Sequence, residues 1–216
     1  MTEDDDATAI ELPEIFPIFP LNGALLLPRG RLPLNIFEPR YLAMVDDALG
    51  AGRMLGMIQS DTRKPATGNG PGLFRVGCLG RLSAFSETDD GRYLITLTGV
   101  VRFTVIDELP LKRGYRRIRA EFSSFANDLL PLETSESGID RDAIIAALHP
   151  YFAAVDIDAN WEAIHTMPDD DLLITLAMAC PFSPPEKQAL LEADGTIARA
   201  EVLLALLEIN AHQPRI

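Results

Sequence analysis

Residues able to do chemistry are few in this chain, and their spacing argues against most of the chemistry they could do. Three histidines, His149, His165 and His212, stand apart, and none sits in an HExxH frame. His165 with Asp169, Asp170 and Asp171 could hold a metal in principle, yet three acids opening a helix need no metal to explain them. Cys180 could serve as a nucleophile with a distant histidine, but Ala179 and Pro181 around it suggest a buried helix end. Cys78 has no second thiol or histidine at ligand spacing. Gly68-Asn69-Gly70-Pro71-Gly72 has the glycines of a phosphate loop, but Leu73-Phe74 follow where Lys and Ser or Thr would be needed. There is no GxSxG elbow. The residues therefore point to no catalytic site, no metal and no cofactor.

One cationic run remains, Lys112-Arg113-Gly114-Tyr115-Arg116-Arg117-Ile118-Arg119. On a strand, Arg113, Tyr115, Arg117 and Arg119 would share a face that could hold RNA phosphates and stack a base. Two other readings compete. The strand could be an exposed edge kept soluble by its charges, or it could dock on the acidic helical second half of the chain.

Charge distribution bears on that choice. The chain has 216 residues and a net charge of −13. Residues 1–119 hold 15 Lys and Arg against 15 Asp and Glu, so residues 120–216, with 4 against 17, supply the whole imbalance. Residues 1–14 carry six acids and no base, which leaves 15–119 at +6. The chain is thus an acidic tail, a mildly basic first half and a strongly acidic second half. That balance disfavours general nucleic-acid affinity. A chain of this length buries roughly 70% of its unfolded surface without disulfides. Its longest nearly apolar run, Leu172 to Cys180, is far short of the ~20 residues of a membrane helix. The acidic start, Glu3 to Asp6, is unlike a signal peptide, so a cytoplasmic location is expected.

The elements that must position these residues change character midway. Prolines 17 and 20 break the run 14–21, as in an edge strand. Residues 32–37 read as a short strand, then Pro39 opens a helix to Leu49, with Gly50 ending it. Residues 54–59 are a strand, and 61–72 a surface loop. Residues 74–86 and 92–108 flank a turn ending in Asp90-Gly91, a hairpin signal. The second of these strands is interrupted by Gly99, where a bulge or bend is expected. A long strand that must bend suits a small barrel. Residues 115–125 pair next. The second half reads as helices: 139–155, which Pro150 should kink or split; a short one at 161–165; 169–179; one opened by the Ser183-Pro184-Pro185-Glu186 capping box; and 196–211, with Ile197, Ala200, Leu204 and Leu207 as its apolar stripe.

Phe19-Pro20-Leu21, then Leu32 to Tyr41 with its Ile36-Phe37-Glu38-Pro39-Arg40-Tyr41 core, resemble the N-terminal substrate-binding (LON) domain of Lon-type ATP-dependent proteases. The resemblance continues through Gly77 to Arg81, Asp90 to Leu94, Gly99-Val100-Val101-Arg102-Phe103 and Ser183 to Glu192, about 14–210 in all. It implies an α+β fold, a PUA-like six-stranded pseudo-barrel followed by a C-terminal helical bundle. The corresponding division is an acidic disordered tail (1–13), the barrel (14–125), a linker (126–137) and the bundle (138–216). The chain looks like a standalone LON-domain protein without ATPase or protease modules. Glu38, Pro39, Arg40, Tyr41, Gly99, Arg102 and Phe103 are then family-motif residues of structural character. Glu38 and Arg102, charges within apolar motifs, each need a partner if buried, either one another or backbone at the barrel–bundle seam.

The resemblance implies a non-enzymatic module that binds unfolded or extended polypeptide, or a protein partner, in an adaptor or chaperone-like role. The expected place is a cleft between barrel and bundle, with the loop 61–72 adjusting to the ligand. The alternative is an RNA-binding PUA-like module using strand 112–119, whose patch would be Arg113, Tyr115, Arg117 and Arg119.

Overall fold

The computed structural model describes residues 11–131 and 138–212. Most of the acidic tail, residues 132–137 of the expected linker and the last four residues lie outside it. The first half forms six strands: β1 (Ile15–Pro20), β2 (Arg31–Ile36), β3 (Met54–Ile58), β4 (Val76–Glu87), β5 (Tyr93–Lys112) and β6 (Tyr115–Glu121). A helix, α1 (Pro39–Leu49), stands between β2 and β3, with Pro39 in its first turn. A 3-10 segment, Ser123–Leu129, follows β6.

The strands run β2-β5-β4-β3-β1-β6, and β5 also pairs with β6, so five of them close into a barrel. Closure is the work of β5, 20 residues long. Its first half pairs with β2 and β4, its second half with β6. The register slips between Leu79 and Gly80, opposite Gly99 to Val101. At the bend a side chain has no room: a Cβ on Gly99 would lie 1.9 Å from the Leu27 carbonyl oxygen. Phe16, Ile18, Leu79, Val101, Phe103 and Ile118 fill the barrel.

The second half contributes α2 (Arg141–Val155), α3 (Trp161–Thr166), α4 (Asp169–Ala179), α5 (Pro184–Glu192) and α6 (Gly195–Ala211). Helix α6 packs against α2, α4 and α5. The α6 stripe is corrected, and of the two outcomes expected at Pro150 the split is not seen. Helix α2 is not split by Pro150, which lies on its exposed side while buried Leu148, Tyr151 and Phe152 hold the flanking turns. Helix α6 buries Arg199, Ala200, Leu203 and Leu207, whereas Ile197 is 54% exposed and Leu204 only partly covered. The helix is turned so that Arg199 reaches the Leu190 carbonyl. The capping box is present, with the Ser183 N–H donating to the Glu186 carboxylate at 2.7 Å.

Barrel and helices share one apolar core. Leu25, Leu26 and Leu27, between β1 and β2, are fully buried in the cluster that also holds Met44, Tyr151, Leu190 and Leu203. Polar bonds reinforce the seam: Gln59 donates to the Pro184 carbonyl at 3.1 Å, and Gln188 to the Val76 carbonyl at 3.1 Å.

Candidate functional site

Strand β2 pairs only with β5 among the described residues, so it has an open edge. The Gly99 N–H donates to the Gly30 carbonyl at 2.9 Å. Antiparallel alternation from that bonded pair turns Leu32, Leu34 and Ile36 toward β5 and leaves the backbone groups of Arg31, Pro33 and Asn35 on the open side. Pro33, lacking an N–H, sits where an edge strand tolerates it. Facing the start of this edge is α4. Asp171, Ile174, Thr175 and Met178 recur at helical spacing and so share one face. Between that face, Met167 and the segment Arg29 to Pro33 lies a cleft of about 530 Å³. Gly30 lets the walls approach: a Cβ there would lie 2.3 Å from the Met178 sulfur.

Arg29 stands where this cleft meets two neighbouring depressions. It has a left-handed backbone, φ 66°, and its Nη2 donates to the Leu130 carbonyl at 2.6 Å. One neighbour, about 510 Å³, runs over Gly99 and Leu130. The other, about 310 Å³, reaches the seam charges. There Arg102, 4% exposed, makes a two-pronged bond to Asp128, with Nε and Nη2 each at 2.9 Å, and its Nη1 donates to the Leu191 and Ala193 carbonyls at 3.1 and 2.7 Å. Its guanidinium also stacks over Phe125 at 4.5 Å.

Asp128 is therefore the partner that Arg102 needs, and Glu38 is not. Glu38 is half-exposed and pairs with Arg40 at 2.9 Å beside the start of α1. Tyr41 is buried against Phe19, ring centroids 4.2 Å apart, with the Arg40 guanidinium 4.5 Å from the Tyr41 ring centroid. Among the motif residues, Gly99 and Arg102 reach the depressions beside the cleft, while Glu38, Pro39, Arg40, Tyr41 and Phe103 line none of the three. Asp128 lies in the segment expected to be linker, and Leu25 to Leu27 carried no periodicity; both were missed. The signal available was an acid near the apolar Phe125 and three adjacent leucines without an element.

The cationic run does not make one face. Arg113 occupies the turn before β6, φ 49°, and bonds Asp47 at 2.8 Å. Tyr115 is buried, and its hydroxyl donates to Asp47 at 2.6 Å. That bond, with further ones from Lys112 and Arg113, holds the Asp47 carboxyl down at about 2, while burial and then the same bond push the Tyr115 phenol up to about 12. Arg116 is buried and paired with Glu108 at 2.7 Å. Arg119 pairs with Glu14 at 3.2 Å and Arg117 donates to the Pro110 carbonyl at 3.3 Å. The acids that meet these cations come from α1, β5 and Glu14, not from the acidic helices. Tyr115 has no ring face free for a base.

The loop 61–72 does not border the cleft. It is held on the β5–β6 side, where Asn69 donates to Glu108 at 2.9 Å and Arg116 to the Pro71 carbonyl at 2.8 Å. His149 stacks on Trp161 at 3.8 Å, and Asp169 accepts from Arg141. Cys78 and Cys180 are both buried, and burial pushes the Cys78 thiol far up. Among the described residues no three potential ligands gather as a metal site, and no helix is long and apolar enough to cross a membrane.

The family profile described as the ATP-dependent protease La (LON) substrate-binding domain matches residues 15–208. This chain belongs to the LON substrate-binding domain family. Lon protease 2 of Myxococcus xanthus is 26% identical over 204 residues, which cover 91% of this chain and 24% of that protein. Lon protease of Syntrophus aciditrophicus is 31% identical over 126 residues, covering 56% of this chain and 15% of that protein. The chain thus spans about a quarter or less of the length of these relatives. The fold agrees with solved structures. A Lon N-terminal domain protein from Xanthomonas campestris superposes with a TM-score of 0.60 at 22% identity, over 88% of this chain and 97% of that one. The N-terminal domain of a Mycobacterium avium complex Lon protease gives 0.59 at 15% identity, over 92% and 98%. The LON chain is α+β, a six-stranded sheet with helices, as those domains are.

Proposed function

We propose that this LON chain binds extended, partly apolar polypeptide without catalysing a reaction, and that the peptide lies in the cleft between β2 and α4. The observation that carries the reading is the coincidence of an open strand edge with an apolar wall of Ile174 and Met178. An added strand would take its hydrogen bonds from Arg31 and Asn35 and set alternate side chains against α4, which tolerates many sequences. The family's description as substrate-binding supports a recognition role. The adaptor or chaperone-like character belongs to the same proposal. Binding should be weak, on the order of micromolar, because ordering a flexible chain consumes much of the contact energy.

Titrating labelled unfolded-protein peptides and single-stranded RNA at low and physiological salt tests this against the RNA reading. Apolar contact and edge pairing predict peptide binding that salt barely changes, with mild effects of Arg117→Gln and Arg119→Gln. RNA binding that falls with a log–log slope of about −0.7 per phosphate, with no peptide binding, would replace the proposal.

A further inference from the structure

The smaller depression beside the cleft, about 310 Å³, contains a charge with no answer. Arg199 lines it and is 8% exposed. Its Nε donates to the Leu190 carbonyl at 3.0 Å, but its Nη2 is buried with no hydrogen-bond partner, and among the described residues no carboxylate lies within ion-pair distance. Asp128, in the same lining, is already held by both prongs of Arg102. Burial lowers the Arg199 pKa to about 10, which still leaves it charged at neutral pH. A buried guanidinium is ordinarily paired, because its desolvation is otherwise uncompensated.

A second feature meets the first at the same wall. Helix α6 begins there with Asp194, Gly195 and Thr196, and Asp194 makes no side-chain capping bond. The first-turn N–H groups of this 17-residue helix therefore have neither an intrahelical partner nor a cap from that residue. An anion is the ligand that both features lack. Its charge is limited: the lining sets three guanidinium groups, Arg29, Arg102 and Arg199, against three carboxylates, Asp128, Asp170 and Asp194, a balance that disfavours a doubly charged group. A carboxylate fits that balance better than a phosphate.

We propose that this cavity is a carboxylate pocket, with Arg199 and the start of α6 as its donors, and that it takes the C-terminal α-carboxylate of a polypeptide lying in the adjoining cleft. The assignment of the source rests on the cleft reading above. Cleft and cavity share Arg29 and Ile174 as walls, so a chain along β2 can turn its end inward. A chain end reaches a buried guanidinium without having to thread through.

Fluorescence anisotropy on the full chain, with one labelled apolar peptide as free acid and as C-terminal amide, is the test. The acid should bind about tenfold tighter than the amide. Arg199→Met should bring the acid down to the affinity of the amide. Equal affinities on the unaltered protein overturn the proposal, and this comparison stands even if Arg199→Met fails to fold. An amidated peptide with an internal Glu that binds as tightly as the acid moves the source to a side chain and overturns the C-terminal assignment. If neither peptide binds, the cleft reading fails, and the pocket is judged by acetate alone. Acetate should then raise the unfolding midpoint above that in chloride at equal ionic strength, and no such rise ends the pocket as well.

Discussion

Arg102 and Asp128 are removed from water together, and neither is tolerable there alone. Truncating one partner of such a pair strands the other's charge, at a cost of about 3–5 kcal/mol. Asp128→Asn should destabilise by that order in urea melts, and Arg102→Met combined with Asp128→Asn should cost clearly less than Asp128→Asn alone. An additive or larger loss in the double variant would contradict this account of the seam. That Arg102 needs a partner was legible from a charge set between Val101 and Phe103. The partner's identity was not, because Asp128 lies 26 residues on in a stretch whose composition reads as linker. Asp47 carries the pH-dependent counterpart. Bonds from Tyr115, then Lys112 and Arg113, lower its pKa from 3.8 to about 2. A carboxyl lowered by folding stabilises fully above its unfolded value and loses that contribution as pH falls through the folded one. Asp47→Asn should therefore lower the unfolding midpoint at pH 7, and the gap to the unaltered protein should close between about pH 4 and 2. A gap constant with pH would show that the Asp47 charge is not what the Tyr115 cluster uses.

Strand β5 is the element on which the first half depends, since it carries pairing to three neighbours across one bend. Gly99→Ala would drive a Cβ into the Leu27 carbonyl, against backbone that Arg29 and Gly99 bind to each other at 2.8 Å. Loss of roughly 1–3 kcal/mol or more is expected in denaturant melts. Gly68→Ala, with nothing within 4 Å, should stay within about ±0.5 kcal/mol. Comparable losses at both positions would mean that the bend is not sterically set. Gly99 was readable as a bend because a glycine interrupts an alternating strand. The helix starts at Pro39 and Ser183 were readable because capping chemistry is local. The packed face of α6 was not, because burying Arg199 in place of Ile197 is decided by the seam and not by apolar periodicity. The segment Leu25 to Leu27 has no period at all, and only the tertiary structure shows that it fills the space between barrel and helices.

At the scale of the molecule, a closed barrel and a helical layer share one core, and the cleft opens where β2 has no neighbour. The order of strands and then helices was legible from the switch in periodicity and from the LON motifs. The cleft was not, since it juxtaposes Arg31 to Pro33 with Ile174 to Met178, segments far apart in sequence whose approach depends on the whole fold. In the basic strand, prominent in composition, Arg113, Arg116 and Arg119 are engaged in ion pairs within the first half, Tyr115 is buried, and Arg117 donates to the Pro110 carbonyl. Peptide affinity by anisotropy, for the unaltered chain and for Ile174→Asp, tests the central claim most directly. A carboxylate on the apolar wall of the cleft should weaken binding at least about tenfold, provided circular dichroism shows the fold retained. Undiminished peptide binding to a folded Ile174→Asp variant would contradict the account.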